Sequence, residues 1–290
     1  MPRASRLMPV VDIHSHIFPP EICRDRESFF TGEPAFELLY RDHRKSPLTT
    51  VEGLIEAMDR DGVRASVTFG FPWKQSDLIR RSNDYVLESV QRYPDRLLGL
   101  ACVNPELPEA VKEAERCLDA GLKGLGELAS YLDGGASSWL ESMKPLAALA
   151  DERNVPLLLH TNEPVGHSYP GKARLPFWDI YELIKLFPKT TFILAHWGGG
   201  LWWYRMLKKE VTEVLQNTYF DTAASPFLYR PEIYRQAIQM VGVEKILYGS
   251  DYPLLGLNRY EKELEQAGLT QEEKAAVMGG NAQRLLSWPD

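Results

Sequence analysis

The sequence predicts a closed (β/α)8 barrel of the TIM type, an α/β fold in which one domain spans residues 1–290. Two observations predict it. Eight short apolar, β-rich runs alternate with longer stretches of helical periodicity from end to end, the pattern of a parallel sheet with crossover helices. No repeat, low-complexity segment or linker interrupts that rhythm, and a barrel of this length commonly folds around one core.

The strand candidates, in order, are residues 10–17, 65–71, 97–104, 122–128, 156–161, 191–196, 219–223 and 245–251. Between the first two, Thr49 and Glu52 read as a capping box that starts a helix carrying Val51, Leu54, Ile55 and Met58 on one face, and Gly62 ends it. Residues 109–118 form a helix that stops near Gly121. Pro145 is expected in the first turn of a helix over 146–153, where its missing N–H costs nothing, and Pro231 opens a later one. Two segments exceed ordinary connections, 18–47 after the first strand and 163–176 after the fifth. Both follow the carboxyl end of a strand, where barrels build their active sites, so they are expected to be active-site loops.

Composition narrows the function. Hydrophobic residues make up 44 % and charged residues 25 %, the balance of a chain that folds throughout. No apolar run approaches the roughly 20 residues that span a bilayer, and residues 1–8 lack the apolar stretch of a signal peptide, so a cytoplasmic, non-membrane protein is expected. Cys23, Cys102 and Cys117 show no metal-binding or redox spacing and read as reduced thiols. The net charge of −7 comes without a basic stripe, which argues against nucleic acid and for a small-molecule substrate.

Four of the six histidines, His14, His16, His160 and His196, fall at or near the carboxyl ends of predicted strands. Side chains two apart in a strand share a face, so His14 and His16 are expected to look into the barrel mouth together, with Asp12 one step further back on that face. Imidazoles with a carboxylate suit zinc or a similar divalent ion, and three or four such ligands with an open position describe a catalytic site. Strands one, five, six and eight each place a histidine or an aspartate where the barrel would bring them together, the aspartate being Asp251.

Val11-Asp12-Ile13-His14-Ser15-His16, His160, His196-Trp197-Gly198-Gly199, Tyr248-Gly249-Ser250-Asp251-Tyr252-Pro253 and Gly280-Asn281-Ala282-Gln283-Arg284-Leu285-Leu286 together resemble the amidohydrolase-related (amidohydrolase 2) branch of the amidohydrolase superfamily. The likeness covers nearly the whole chain in the right order. It implies that His14, His16 and His160 bind the metal, that Asp251 is both ligand and proton acceptor, and that His196 stands beside the metal-bound water. A bound cation brings the pKa of its water toward about 7, so hydrolysis of a small ester, lactone or amide is the expected reaction. The branch is similar also to nonoxidative decarboxylases of aromatic or muconate-type acids, which is the alternative; a non-enzymatic metal-binding barrel is a third. One divalent ion, Zn2+ or else Mn2+, is expected.

Glu127, at the end of the fourth predicted strand, either bridges to a second metal ion, orients a ligating histidine, or is a salt-bridged rim residue. Trp73, Lys74, His167 and Arg230 fall on the active-site side and are the candidates for substrate binding, the basic ones suiting a carboxylate. The aromatic residues Trp197, Trp202, Trp203 and Tyr204 flank Gly198–Gly200 as core packing, as a pocket wall or as a contact in a homo-oligomer.

Overall fold

The computed structural model describes residues 9–131, 136–173 and 177–287. Residues 1–8, read above for a targeting signal, and 174–176, the end of the second long loop, lie outside the described residues.

Among the described residues eight strands follow one another: β1 Val10–His16, β2 Val63–Phe69, β3 Leu97–Gly99, β4 Leu125–Leu128, β5 Leu157–Leu159, β6 Phe192–Leu194, β7 Thr218–Asp221 and β8 Ile246–Leu247. All neighbours pair in parallel, as β1-β2-β3 and as β4-β5-β6-β7-β8. Two single bridges join the halves, Ala101 with Leu125 and Ser15 with Tyr252. At the second seam Ile13 N donates to Tyr248 O at 2.9 Å, and Asp251 N donates to His14 O at 2.9 Å. The sheet therefore closes on itself, as the alternation of elements predicts.

Burial on both faces explains why the short strands are almost wholly apolar. Leu158 and Ile193 belong to the cluster inside the barrel, with Val11, Ile13, Val67 and Leu247. Their neighbours Leu157, Leu159, Phe192 and Leu194 join the larger cluster between strands and helices. This period-two sorting fixes which residues at the strand ends point inward.

Several boundaries differ from the sequence reading. The cap of the helix Val51–Asp61 is Thr50, whose hydroxyl accepts from Gly53 N, and not Thr49; Gly62 ends it in the left-handed region at φ 74°. Pro145 lies inside the helix Ala136–Arg153. There Trp139, Met143, Leu146, Ala147 and Ala150 keep helical spacing on a buried face, and that packing carries the helix past the missing N–H. Residues 18–47 are not plain loop: they hold the short helices Pro20–Arg24 and Pro34–Tyr40 and a 3-10 turn, Arg26–Phe29. β8 is two residues long instead of seven: Asp251 takes a left-handed φ of 63°, and Ser250 N donates to the Asp12 side chain instead of to a strand carbonyl.

Candidate metal centre

Six side chains converge at the carboxyl end of the barrel. β1 supplies His14 and His16, β4 supplies Glu127, and the residues just after β5, β6 and β8 supply His160, His196 and Asp251. β1 shifts register between Asp12 and Ser15. Both histidine rings consequently meet the inward-facing Phe69, at centroid distances of 5.1 and 4.7 Å, although Val11 and Ile13 also point inward. Strict alternation fails there, so Asp12 does not share the histidine face. Its carboxylate accepts from His14 N and Ser250 N instead, and ties β1 to the end of β8. Gly249 permits that approach, since a Cβ there would lie 2.8 Å from His14 Cβ.

Glu127 is the centre of the cluster, and the reading of it as a rim residue is corrected: it is 2 % exposed. Its Oε2 lies 3.8 Å from Nε2 of both His14 and His16, while its Oε1 lies 3.0 Å from His160 Nδ1 and 3.5 Å from His196 Nε2. Asp251 Oδ1 closes the first group at 3.7 Å from His14 Nε2 and 3.4 Å from His16 Nε2. Three trios, His14–His16–Glu127, His14–His196–Asp251 and Glu127–His160–His196, each bring one ligand atom per residue within 4.8 Å of the others.

The backbone holds the His16 and His196 rings in a ligating tautomer. His16 Nδ1 pairs with Gly70 O at 3.1 Å and His196 Nδ1 with Ala223 O at 2.9 Å, which leaves each Nε2 toward the carboxylates. His14 Nδ1 pairs with Asp221 Oδ2 at 2.8 Å. Among the described residues, buried His14 Nε2 has no hydrogen-bond partner. A buried orphan nitrogen facing two carboxylates fits a divalent cation, as does the mixed imidazole and carboxylate donor set. His160 is held differently, with Nδ1 on Glu127 and Nε2 on Gly171 O at 3.0 Å.

Charge balance supports the same reading. Burial acts to raise the Glu127 carboxyl, but the His160 and His14 imidazoles outweigh it and hold it well below the usual carboxylate range. Burial likewise opposes ionisation of Asp251, yet His16, His14 and His196 bring it down to about 2. Burial lowers His14, and Asp221, Glu127 and Asp251 overcome that to raise it to about 10. His196 reaches about 9 against the same desolvation, through Glu127 and Asp251. The carboxylates thus demand positive charge among them, and a cation meets that demand by displacing imidazole protons.

Strain gathers here too: His196, Trp197, Ala224 and Asp251 have φ of 53°, 61°, 55° and 63°. The following Gly198–Gly200 turn comes close to the segment after β5, and a Cβ on Gly199 would lie 2.2 Å from Asn162 O. Trp197 and Trp202 are buried in the core, whereas Trp203 and Tyr204 stand out into solvent.

The four proposed substrate contacts fare unevenly. Trp73 is corrected: it is fully buried, its Nε1 donates to Ser82 Oγ at 2.8 Å, and its ring packs on Phe36 at 4.3 Å, so it is a core residue. Lys74 is exposed and lines a cavity of about 340 Å3 with Glu33, Asn104 and Tyr131, beside the cluster and not in it. His167 stands exposed on the loop after β5 against Tyr169, and Arg230 is exposed after β7. The sequence reading missed Asp221 and Tyr131. Asp221 fell inside the predicted strand 219–223 and, like Tyr131, whose ring lies 4.9 Å from His160, carried no motif.

The barrel and its histidine–carboxylate centre define a metal-dependent enzyme of the amidohydrolase class. A profile of the Amidohydrolase family matches residues 11–288, and the chain belongs to that family. A gamma-resorcylate decarboxylase of Rhizobium radiobacter is 23 % identical, over 95 % of this chain and 97 % of its own length. Among solved structures, the 5-carboxyvanillate decarboxylase of Sphingomonas paucimobilis aligns over 97 % of this chain and 100 % of its own with a TM-score of 0.76 at 17 % identity. A dihydroxybenzoic acid decarboxylase of Polaromonas sp. JS666, with bound manganese and 2-nitroresorcinol, aligns over 97 % of each chain with a TM-score of 0.71 at 20 % identity.

These likenesses correct the expected reaction. The curated relatives are gamma-resorcylate decarboxylases, and the structural neighbours include 2,6-dihydroxybenzoate and 5-carboxyvanillate decarboxylases, which turns the reading from hydrolysis to its alternative. Zinc gains no specific support, since manganese is the ion in the Polaromonas structure. Among the described residues no helix is long and apolar enough to cross a membrane.

Proposed function

We propose that this protein is a divalent-metal-dependent, nonoxidative decarboxylase of a small aromatic carboxylic acid. The observation that carries the reading is the likeness, over nearly the full length of both chains, to gamma-resorcylate decarboxylases. The centre supports it chemically. His14, His16, Asp251 and Glu127 or His160 would hold the ion, with manganese the first to load and zinc the second. When bound, the cation supplies positive charge that anchors and polarises an anionic substrate.

Replacing a ring carboxylate by hydrogen needs a proton at the carbon that bears it. His196 is the donor in this reading: Nδ1 stays on Ala223 O, and Nε2, 3.5 Å from Glu127 Oε1, is the nitrogen free to deliver. As the carbon–carbon bond breaks, its electron pair restores the aromatic ring and the carboxylate leaves as carbon dioxide. Asp251 and Glu127 keep the imidazole charged until that transfer, and an outside proton recharges it. The test is carbon dioxide release from 2,6-dihydroxybenzoate, 5-carboxyvanillate and related hydroxybenzoates by metal-loaded protein. Release that falls sharply in His196→Asn is expected; no release from any of them overturns the reading.

A second ion is a further reading of the same centre. Favouring it, Glu127 turns its two oxygens toward different groups, Oε2 to His14 and His16 and Oε1 to His160 and His196, as a bridging carboxylate does. Two equivalents of metal per chain, falling to one in Glu127→Ala, would support it.

A further inference from the structure

Asp221 is fully buried at the end of β7 and belongs to none of the three metal-capable trios. Its two oxygens do different things. Oδ2 accepts from His14 Nδ1 at 2.8 Å, while Oδ1 accepts from two backbone groups, His196 N at 2.8 Å and Ala223 N at 2.9 Å. One carboxylate therefore meets a histidine side chain from β1 and the main chain of a histidine after β6. The second contact falls where the backbone is strained, at His196 and Trp197. The first keeps a proton on His14 Nδ1, so the proton that a cation displaces is the one on Nε2, the buried nitrogen without a partner among the described residues.

We propose that Asp221 is the positioning residue of the metal centre: through Oδ2 it selects the ligating tautomer of His14, and through Oδ1 it holds the strained turn that presents His196. This rests on the reading that the cluster binds a divalent cation. The two halves of the proposal separate under mutation. In Asp221→Asn the amide oxygen is pinned by the two backbone N–H groups, so the amide NH2 must face His14 Nδ1. Two donors cannot share that contact. His14 then turns Nδ1 into the acceptor and carries its proton on Nε2, where the metal would bind. Asp221→Ala imposes no wrong tautomer, but it abandons both backbone N–H groups in the core.

The predicted orders are opposite. For manganese(II) affinity the order is parent, then Asp221→Ala, then Asp221→Asn, with about 10–100-fold lost in the last, the range usual for a carboxylate behind a metal-binding histidine. For thermal stability of the metal-free protein the order is parent, then Asp221→Asn, then Asp221→Ala. A purely structural role would make Asp221→Ala the worse variant in both. The experiment titrates each full-length protein with manganese(II), reading free ion by electron paramagnetic resonance, and records Tm without metal. Crossed orders establish the role. Asparagine binding manganese as tightly as the parent, or more tightly than alanine, overturns it while leaving the metal reading intact. A parent chain that binds no manganese overturns the metal reading and this proposal together.

Discussion

Glu263 offers a sharp test of how well the packing around the centre is understood. It lies on the helix Leu257–Gln266, is 5 % exposed, and its Oε1 accepts from Ser225 Oγ at 2.9 Å; that same hydroxyl receives Trp197 Nε1 at 2.9 Å. Its Oε2 is buried without a partner among the described residues. Burial raises its pKa from 4.5 to about 7, against the lowering effect of the Ser225 and Tyr234 hydroxyls. The folded protein thus holds this proton more tightly than the unfolded chain does. Its stabilising contribution is complete below about pH 4.5 and is lost as pH rises through about 7. The whole shift corresponds to about 3 kcal/mol, and a partly hydrated site would keep about 1–3 kcal/mol of it. Glu263→Gln keeps the shape and the acceptor for Ser225 but removes the titration. Denaturant unfolding of parent and variant at pH 4.5, 6 and 8 should show the variant gaining about 1–3 kcal/mol relative to the parent between the first and last. A constant difference across that range would refute the reasoning.

Two further substitutions probe the fold. Leu158→Ala, at a fully buried position inside the barrel, should cost about 2–5 kcal/mol in denaturant unfolding, as core truncations do, with the spread set by how far β4 and β6 collapse onto the gap. Trp73→Phe should lose about 1–3 kcal/mol of stability, through the vacated volume and the lost bond to Ser82, with KM unchanged; a raised KM at unchanged stability would return Trp73 to the substrate pocket.

Much of this architecture was legible in the sequence because both of its signals are local. Runs such as Leu157–Leu159 and Phe192–Leu194 are apolar on both faces only where strands are covered on both sides. The ligand candidates were legible because each falls at or near the carboxyl end of a predicted strand. What escaped depends on contacts between distant segments. The register shift in β1 arises from its pairing with β2, and no pattern within residues 10–17 announces that Asp12 leaves the histidine face. Asp221 looked like one more strand residue until β1 and β6 were laid against β7. Pro145 reads as a helix start because the buried face that overrides it is only visible once packed. The reaction was the least legible feature, since histidines and carboxylates serve hydrolysis and decarboxylation alike, and the choice lies in what surrounds the substrate.

The most direct test is the metal content of the untagged protein, purified without added metal and again after reconstitution with manganese(II), beside His14→Ala, Asp251→Asn and Glu127→Ala. At least one equivalent per chain, lost in His14→Ala and Asp251→Asn, is the predicted result. A parent protein that binds no ion even after reconstitution would contradict the account at its centre.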